Sequence, residues 1–248
     1  MSKPSNLSWA DYIRNGLRHR FGEAAEAANL LTGALRRQRI YQRFKAFTMI
    51  WPDTYRANLA IAEKFRNVPG CIVECGVWRG GMSAGLAVVL GSKRQYFLFD
   101  SFEGLPPAKE IDGREARAWQ ANKSSPQYFD NCSASKESAD AAMQLAGCTS
   151  FTTIKGWFDD TMPKCIFPEA IAVLRLDGDW YDSTMVCLRH LFTRVTPGGV
   201  IILDDYYTWD GCARAVHDYL SQTGAIERIE SFGGVCFIRK RAKTLADS

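Results

Sequence analysis

The 248-residue sequence predicts an α/β fold: a doubly wound, mostly parallel seven-stranded sheet with an antiparallel hairpin at its C-terminal edge and a helical N-terminal extension. Three observations predict it. From residue 70 onward, seven short apolar runs alternate with segments of helical character. Four of those runs end in carboxylates, namely Glu74, Asp100, Asp177 and the pair Asp204 and Asp205. The last two runs are separated only by "FGG", a link suited to an antiparallel pair.

Residues 5–66 read as helical. Leu7, Trp9, Tyr12, Ile13 and Leu17 are spaced roughly as one apolar face, "EAAEAANLLTGAL" is rich in helix formers, and Pro52 opens "DTYRANLAIAEKF". This suggests two parts: a basic helical extension over 1–50, serving as substrate cover or dimerisation surface, and a main domain over 51–248. In the main domain "CIVECG" is the first strand, followed by a glycine turn and the helix "GGMSAGLAVVLG", which Gly91 closes. "QYFLFD" is the second strand. The link from Ser101 to Ala134 exceeds usual loop lengths and is a candidate lid. The helix "SADAAMQLAG" precedes the strand "SFTTIKG". The strands "AIAVLRLD" and "GGVIILDD" follow, each leading toward a helix, and "IERIES" with "GVCFIRKR" ends the sheet.

A chain this long, 46% hydrophobic, can bury a substantial core. No apolar run approaches the roughly 20 residues of a membrane span, and no secretion-signal pattern opens the sequence, so the expected compartment is cytoplasmic. Eight scattered cysteines without a CxxC pair read as reduced thiols, not as a disulfide framework or a zinc site. Charge is uneven: nine Lys or Arg against three Asp or Glu in residues 1–50 leave that segment at +6 and the remainder at −2. A solvated helix face explains this run, and no nucleic-acid partner is expected.

In doubly wound sheets ligands bind beyond the carboxyl ends of the strands, so the terminal acids should share one rim. Gly76 after the first strand allows close backbone approach to a ligand, and Glu74 can meet a ligand ammonium or orient the turn. Asp100, 24 residues after Gly76, occupies the position where a carboxylate accepts ribose hydroxyls. Crowded carboxylates resist ionisation unless a cation compensates them, and Asp177, Asp204 and Asp205 offer hard oxygen ligands that suit Mg²⁺ or Ca²⁺. His19, His190 and His217 show no ligand spacing. Several of Trp78, Trp157, Trp180, Tyr181, Tyr206, Tyr207 and Trp209 could enclose a ligand beside that rim.

Five ordered blocks, "VPGCIVECGVWRGGMS", "YFLFDSFEGLP", "IKGWFDDTMP", "LRLDGDWYDST" and "GGVIILDDYYTWDGCARAVHDY", together resemble the macrocin O-methyltransferase family over roughly residues 50–240. The resemblance implies a class I, Rossmann-like methyltransferase fold, S-adenosyl-L-methionine as cofactor, Mg²⁺ dependence, and methyl transfer to a sugar hydroxyl, often a deoxysugar of a natural-product glycoside. It implies that Glu74, Cys75 and Gly76 border the methionine part of the cofactor, with Asp177 also on the cofactor side. Asp100 and Ser101 would contact the ribose, and Trp157, Phe158 and Asp159 would lie near the adenine. By the same resemblance Asp177, Asp204 and Asp205 are metal ligands and Asp179 is the general base, with Asp182 left as a helix-start residue. A glycan or glycoside acceptor and a homodimer or higher homo-oligomer are the expected partners.

Three other readings compete. In a metal-dependent sugar-nucleotide glycosyltransferase, "LDGD" would bind a diphosphate through its metal. An aspartate-nucleophile phosphatase needs a Lys between its acidic blocks, and residues 183–203 contain none. A cofactor-binding regulatory module would act through the basic helices. A cell-surface glycan or a phenolic diol are the alternative acceptors.

Overall fold

A computed structural model describes residues 31–241. The chain divides between Arg39 and Ile40, and the unit from Ile40 onward is considered below. The expected apolar face from Leu7 to Leu17 lies outside the described residues, as does His19.

Helix α1 (31–44) gives way to a short 3-10 turn, and Pro52 starts α2 (Pro52–Glu63). Proline suits this position because its missing N–H would have no helical partner there and its φ is already helical. β1 (Cys71–Cys75), α3 (Gly81–Leu90) and β2 (Tyr96–Asp100) then form the first strand–helix–strand unit. After the 101–135 segment come α5 (Lys136–Leu145) and β3 (Phe151–Lys155). β4 (Ile171–Leu176), α6 (Tyr181–Leu191), β5 (Val195–Leu203) and α7 (Asp210–Thr223) lead to the edge pair β6 (Ile229–Phe232) and β7 (Val235–Arg239). Gly224, in the left-handed conformation, ends α7.

The sheet has seven strands in the order β3-β2-β1-β4-β5-β7-β6, parallel except where β7 pairs with β5 and β6. β1 and β4 are buried along their whole length, as strands covered on both faces must be. Two apolar layers sandwich the sheet. One joins Ile72, Leu98 and Ile202 to Tyr55, Leu59, Leu86 and Met143 from α2, α3 and α5, with Phe44 of α1 fully buried in it. The other joins Val73, Leu174 and Ile201 to Met185, Leu188, Val216 and Tyr219 from α6 and α7.

The 101–135 segment departs from the expected open loop. It contains α4 (Gly113–Ala121), a short, polar and largely exposed helix whose only buried residue is Ala116, so its sequence offers little apolar surface to announce a helix. Gln120 ties it together by accepting from the Ala108 amide (2.7 Å) and donating to Pro106 O (2.9 Å) and Asn131 Oδ1 (3.0 Å).

Gly76, at the end of β1, has φ +86°, and a Cβ there would overlap the Asp177 carbonyl. Gly91 also has positive φ but faces open space. Chemical denaturation should therefore show Gly76→Ala losing well over the ~1 kcal/mol of an ordinary substitution, with Gly91→Ala losing clearly less. Equal losses would mean that the β1–β4 approach is not tight.

Candidate active site

The site is built outward from the middle strands. Side chains alternate across a sheet, so Glu74 and Arg175, paired across β1 and β4, face the α2 layer together, while Cys75 faces the other layer. Arg175 is fully buried. Its Nη1 meets Glu74 Oε1 at 2.6 Å and Asp177 Oδ2 at 2.8 Å, and its Nε donates to Asn58 Oδ1 at 3.0 Å. Nη2 lies 2.9 Å from Asp204 Oδ1 without hydrogen-bond alignment, so that contact is Coulombic. Asn58 Nδ2 donates to the same Asp204 oxygen (2.7 Å), and Ser83 Oγ donates to Glu74.

Beyond Arg175 the acids converge. One oxygen from each of Asp177, Asp179 and Asp205 lies within 4.8 Å of the others. Asp204 was expected in this group; its Oδ1 faces Arg175 and Asn58, at the edge of the cluster. Burial pushes the Asp177 carboxyl up to about 6 against the opposing pull of Arg175, with Asp204 adding to the rise. Burial, then Asp177, holds Asp179 well above the usual carboxylate range, and burial, then Asp179, does the same to Asp205. Glu74 is raised by burial to about 7 despite Arg175 and Ser83. Three carboxylates thus surround one guanidinium, with Asp179 and Asp205 beyond them, and oxygen donors in this number suit a hard divalent cation.

Asp100 Oδ2 accepts the Val77 and Trp78 amides (both 2.7 Å), and Oδ1 accepts that of Phe102 (2.6 Å). The expected ribose carboxylate is therefore also the brace of the glycine turn. Ser101 Oγ donates to Gly104 O at 2.9 Å. Cys75 is fully buried in the layer opposite Glu74, and its carbonyl accepts the Asp177 amide (2.8 Å), so its side chain stays apart from the cavity. Gly156, Trp157, Phe158 and Asp159 follow β3, and their side of the rim completes a cavity of ≈ 970 Å³. Glu74, Gly76, Asp100, Ser101, Asp177, Asp179, Asp204 and Asp205 all line this one cavity.

Trp78, Trp157, Trp180 and Trp209 line it as well, whereas Tyr206 and Tyr207 pack against each other outside it. His217 pairs with the Tyr206 hydroxyl (2.8 Å), away from the acids. The 101–135 segment forms another wall and is latched to the start of α6. Asp112 Oδ1 accepts the Tyr181 amide (2.7 Å), Trp180 Nε1 donates to Pro106 O (2.9 Å), and Lys109 pairs with Asp182. Asp182 does sit in the first turn of α6, but the helix end is satisfied from the lid by Asp112. Sequence reasoning missed Asp112, Asn58 and Arg175. Only Arg175 left a signal, a charge inside the otherwise apolar run "IAVLRL".

This strand order, with a cavity across the carboxyl ends of β1, β2, β4 and β5, is that of the class I methyltransferase fold. A match to the macrocin-O-methyltransferase (TylF) family spans residues 27–240, and the chain belongs to that family. It is 36% identical over 173 residues to the 8-demethyl-8-(2,3-dimethoxy-alpha-L-rhamnosyl)-tetracenomycin-C 4'-O-methyltransferase of Streptomyces olivaceus, covering 67% of this chain and 64% of that protein. To the mycinamicin III 3''-O-methyltransferase of Micromonospora griseorubida it is 35% identical over 177 residues, covering 65% of each. The chain thus spans just under two thirds of the length of these curated relatives. The solved structure of the O-methyltransferase NovP superposes with a TM-score of 0.66 at 28% identity, covering 79% of this chain and 83% of that one.

The charge balance at Arg175 has a pH signature. Glu74 and Asp177 have folded pKa values above their unfolded ones, so the folded state holds the extra protons and stability falls as pH rises from about 4 to about 7. Removing Arg175 raises both further. Arg175→Met should cost about 3–5 kcal/mol at pH 8 and clearly less at pH 5, where the acids neutralise themselves. Urea denaturation at the two pH values checks this; a pH-independent loss would contradict it.

Proposed function

We propose that this chain is an S-adenosyl-L-methionine- and Mg²⁺-dependent O-methyltransferase acting on a sugar hydroxyl, of the deoxysugar kind carried by natural-product glycosides. The observation that carries the reading is a single cavity lined both by the glycine turn with Asp100 and by Asp177, Asp179 and Asp205. The family and the activities of the two sugar methyltransferases support it.

In this reading Gly76 with Glu74 and Asp177 borders the methionine end of the cofactor. Cys75 contributes backbone only. Asp100 keeps acceptor capacity for ribose hydroxyls beyond its three amide bonds, since a carboxylate offers about four lone-pair sites. Ser101 lies beside it, and Trp157, Phe158 and Asp159 flank the adenine. Asp177 and Asp205 would hold the cation, together with Asp204 beside them. A divalent cation bound there supplies Lewis acidity that lowers the pKa of an acceptor hydroxyl. Asp179 takes the hydroxyl proton as the oxygen attacks the methyl carbon, and alignment of oxygen, methyl and sulfur provides the rest through proximity. The basic extension over 1–50 is proposed as substrate cover or self-association surface. Among the described residues no helix is long and apolar enough to cross a membrane.

Calorimetry should detect S-adenosylhomocysteine binding, and Asp179→Asn should leave that affinity unchanged. Methyl transfer from labelled cofactor to a rhamnosyl glycoside should fall about 10²–10⁴-fold in the variant. No cofactor binding with or without Mg²⁺ would overturn the methyltransferase reading. Activity that survives exhaustive chelation would remove the metal from it.

A further inference from the structure

Asp179 is held in an unusual way. Its φ of +56° lies in the left-handed region, which costs a residue with a Cβ roughly 1 kcal/mol and persists only where surrounding contacts impose it. Two contacts do so. The Asp179 amide donates to Asp205 Oδ2 (3.0 Å), and the indole Nε1 of Trp209 donates to Asp179 Oδ1 (2.8 Å). Backbone and side chain are therefore fixed by separate partners, and strain that is over-determined in this way clusters where geometry matters to function.

Trp209 is itself immobilised. Its amide donates to Asp205 O (2.9 Å), and it occupies the position before the first turn of α7. Its ring meets Trp180 edge-on (centroids 5.3 Å, 68°) and Trp119 likewise (6.0 Å, 63°). Trp180 is buried, and Trp119 belongs to α4 of the lid. The indole N–H is thus a rigid donor at a fixed point on the cavity wall, connected through Trp119 to the segment that closes over it.

We propose that Trp209 is a positioning residue for the methyl-transfer reaction: its indole N–H occupies Asp179 Oδ1 and leaves Oδ2 as the oxygen that receives the acceptor proton. This inference rests on the reading of Asp179 as general base. The step balances. The acceptor O–H bond breaks with its proton going to Asp179 Oδ2, the oxygen forms the new bond to the methyl carbon, and the carbon–sulfur electron pair stays on sulfur as a neutral thioether. A bond to one carboxylate oxygen restrains rotation of the base about its last side-chain bond, which sets where the other stands when the acceptor arrives.

A purely packing role for Trp209 predicts different behaviour, because Trp209→Phe keeps the edge-on ring contacts and deletes only the donor. The test is a double-mutant cycle of Trp209→Phe and Asp179→Asn, with phenyl α-L-rhamnoside as the acceptor probe and single-turnover label transfer as the readout. Trp209→Phe should lower the rate about 10- to 100-fold, the size of one hydrogen bond to a charged group, with S-adenosylhomocysteine affinity and acceptor KM unchanged. In the Asp179→Asn background the same change should cost almost nothing, since it acts through the missing carboxylate. Equal losses in both backgrounds, or no loss in either, would overturn the inference. A second measurement needs no acceptor. In protein labelled with ¹⁵N-tryptophan, the indole signal that disappears in Trp209→Phe should shift in Asp179→Ala; an unmoved signal would also overturn it. If the wild type fails to methylate the probe, the sugar reading falls, while the indole measurement still decides whether Trp209 holds Asp179.

Discussion

A guanidinium shut off from solvent between Glu74, Asp177 and Asp204 is the constraint on which the rest of the site depends. Burial alone would lower the Arg175 pKa, but the three carboxylates more than reverse this and hold it well above its ordinary value. The price of burying such a charge is several kcal/mol, and it is offset only by well-placed partners. Those partners sit where they do because the parallel register sets Glu74 of β1 beside Arg175 of β4, and because Asp177 and Asp204 continue two neighbouring strands. Arg175 therefore ties together the ends of β1, β4 and β5 that this register brings level. It also fixes where the unpaired acids beyond it converge.

The same few residues divide their work between chemistry and closure. In "LDGDWYD" Asp177 and Asp179 turn toward the cavity, while Trp180, Tyr181 and Asp182 engage Pro106, Asp112 and Lys109 of the lid. Closing the 101–135 segment and shaping the acidic rim are thus coupled through one short stretch of backbone. Gly76 and Gly178 keep this stretch close to the first strand and to Phe158. The 101–135 segment lines the same cavity as the carboxylates, and their burial beside it strengthens the electrostatic interactions among them.

Much of this was legible in the sequence, for physical reasons that differ between elements. The alternation of apolar runs and helical segments locates all seven strands, because a parallel sheet covered on both faces needs uninterrupted apolar strands. The acids at the ends of "VLRLD" and "IILDD" are legible because a buried strand has no other reason to end in charge. The lid helix Gly113–Ala121 is not, since it is short and polar and buries a single residue. Nor is the side to which Asp204 turns. That depends on Asn58, which is 146 positions away in sequence and on a helix whose pattern reads only as amphipathic. The side chain of Cys75, a residue that the resemblance places beside the cofactor, turns to the opposite face because alternation along a strand separates neighbours, which leaves its backbone at the rim.

Around Arg175 the buried carboxylates outnumber the buried cations among the described residues, so the proposed function predicts that the folded site holds protons which a bound divalent cation would displace. The most direct test is calorimetric titration of Mg²⁺ into the protein loaded with S-adenosylhomocysteine, near pH 6.5 and in two buffers of different ionisation enthalpy. That pH lies between the raised values of about 6 for Asp177 and about 7 for Glu74. Binding accompanied by proton release, seen as a buffer-dependent heat, is the predicted result. Mg²⁺ binding without proton release, or no binding at all, would contradict it.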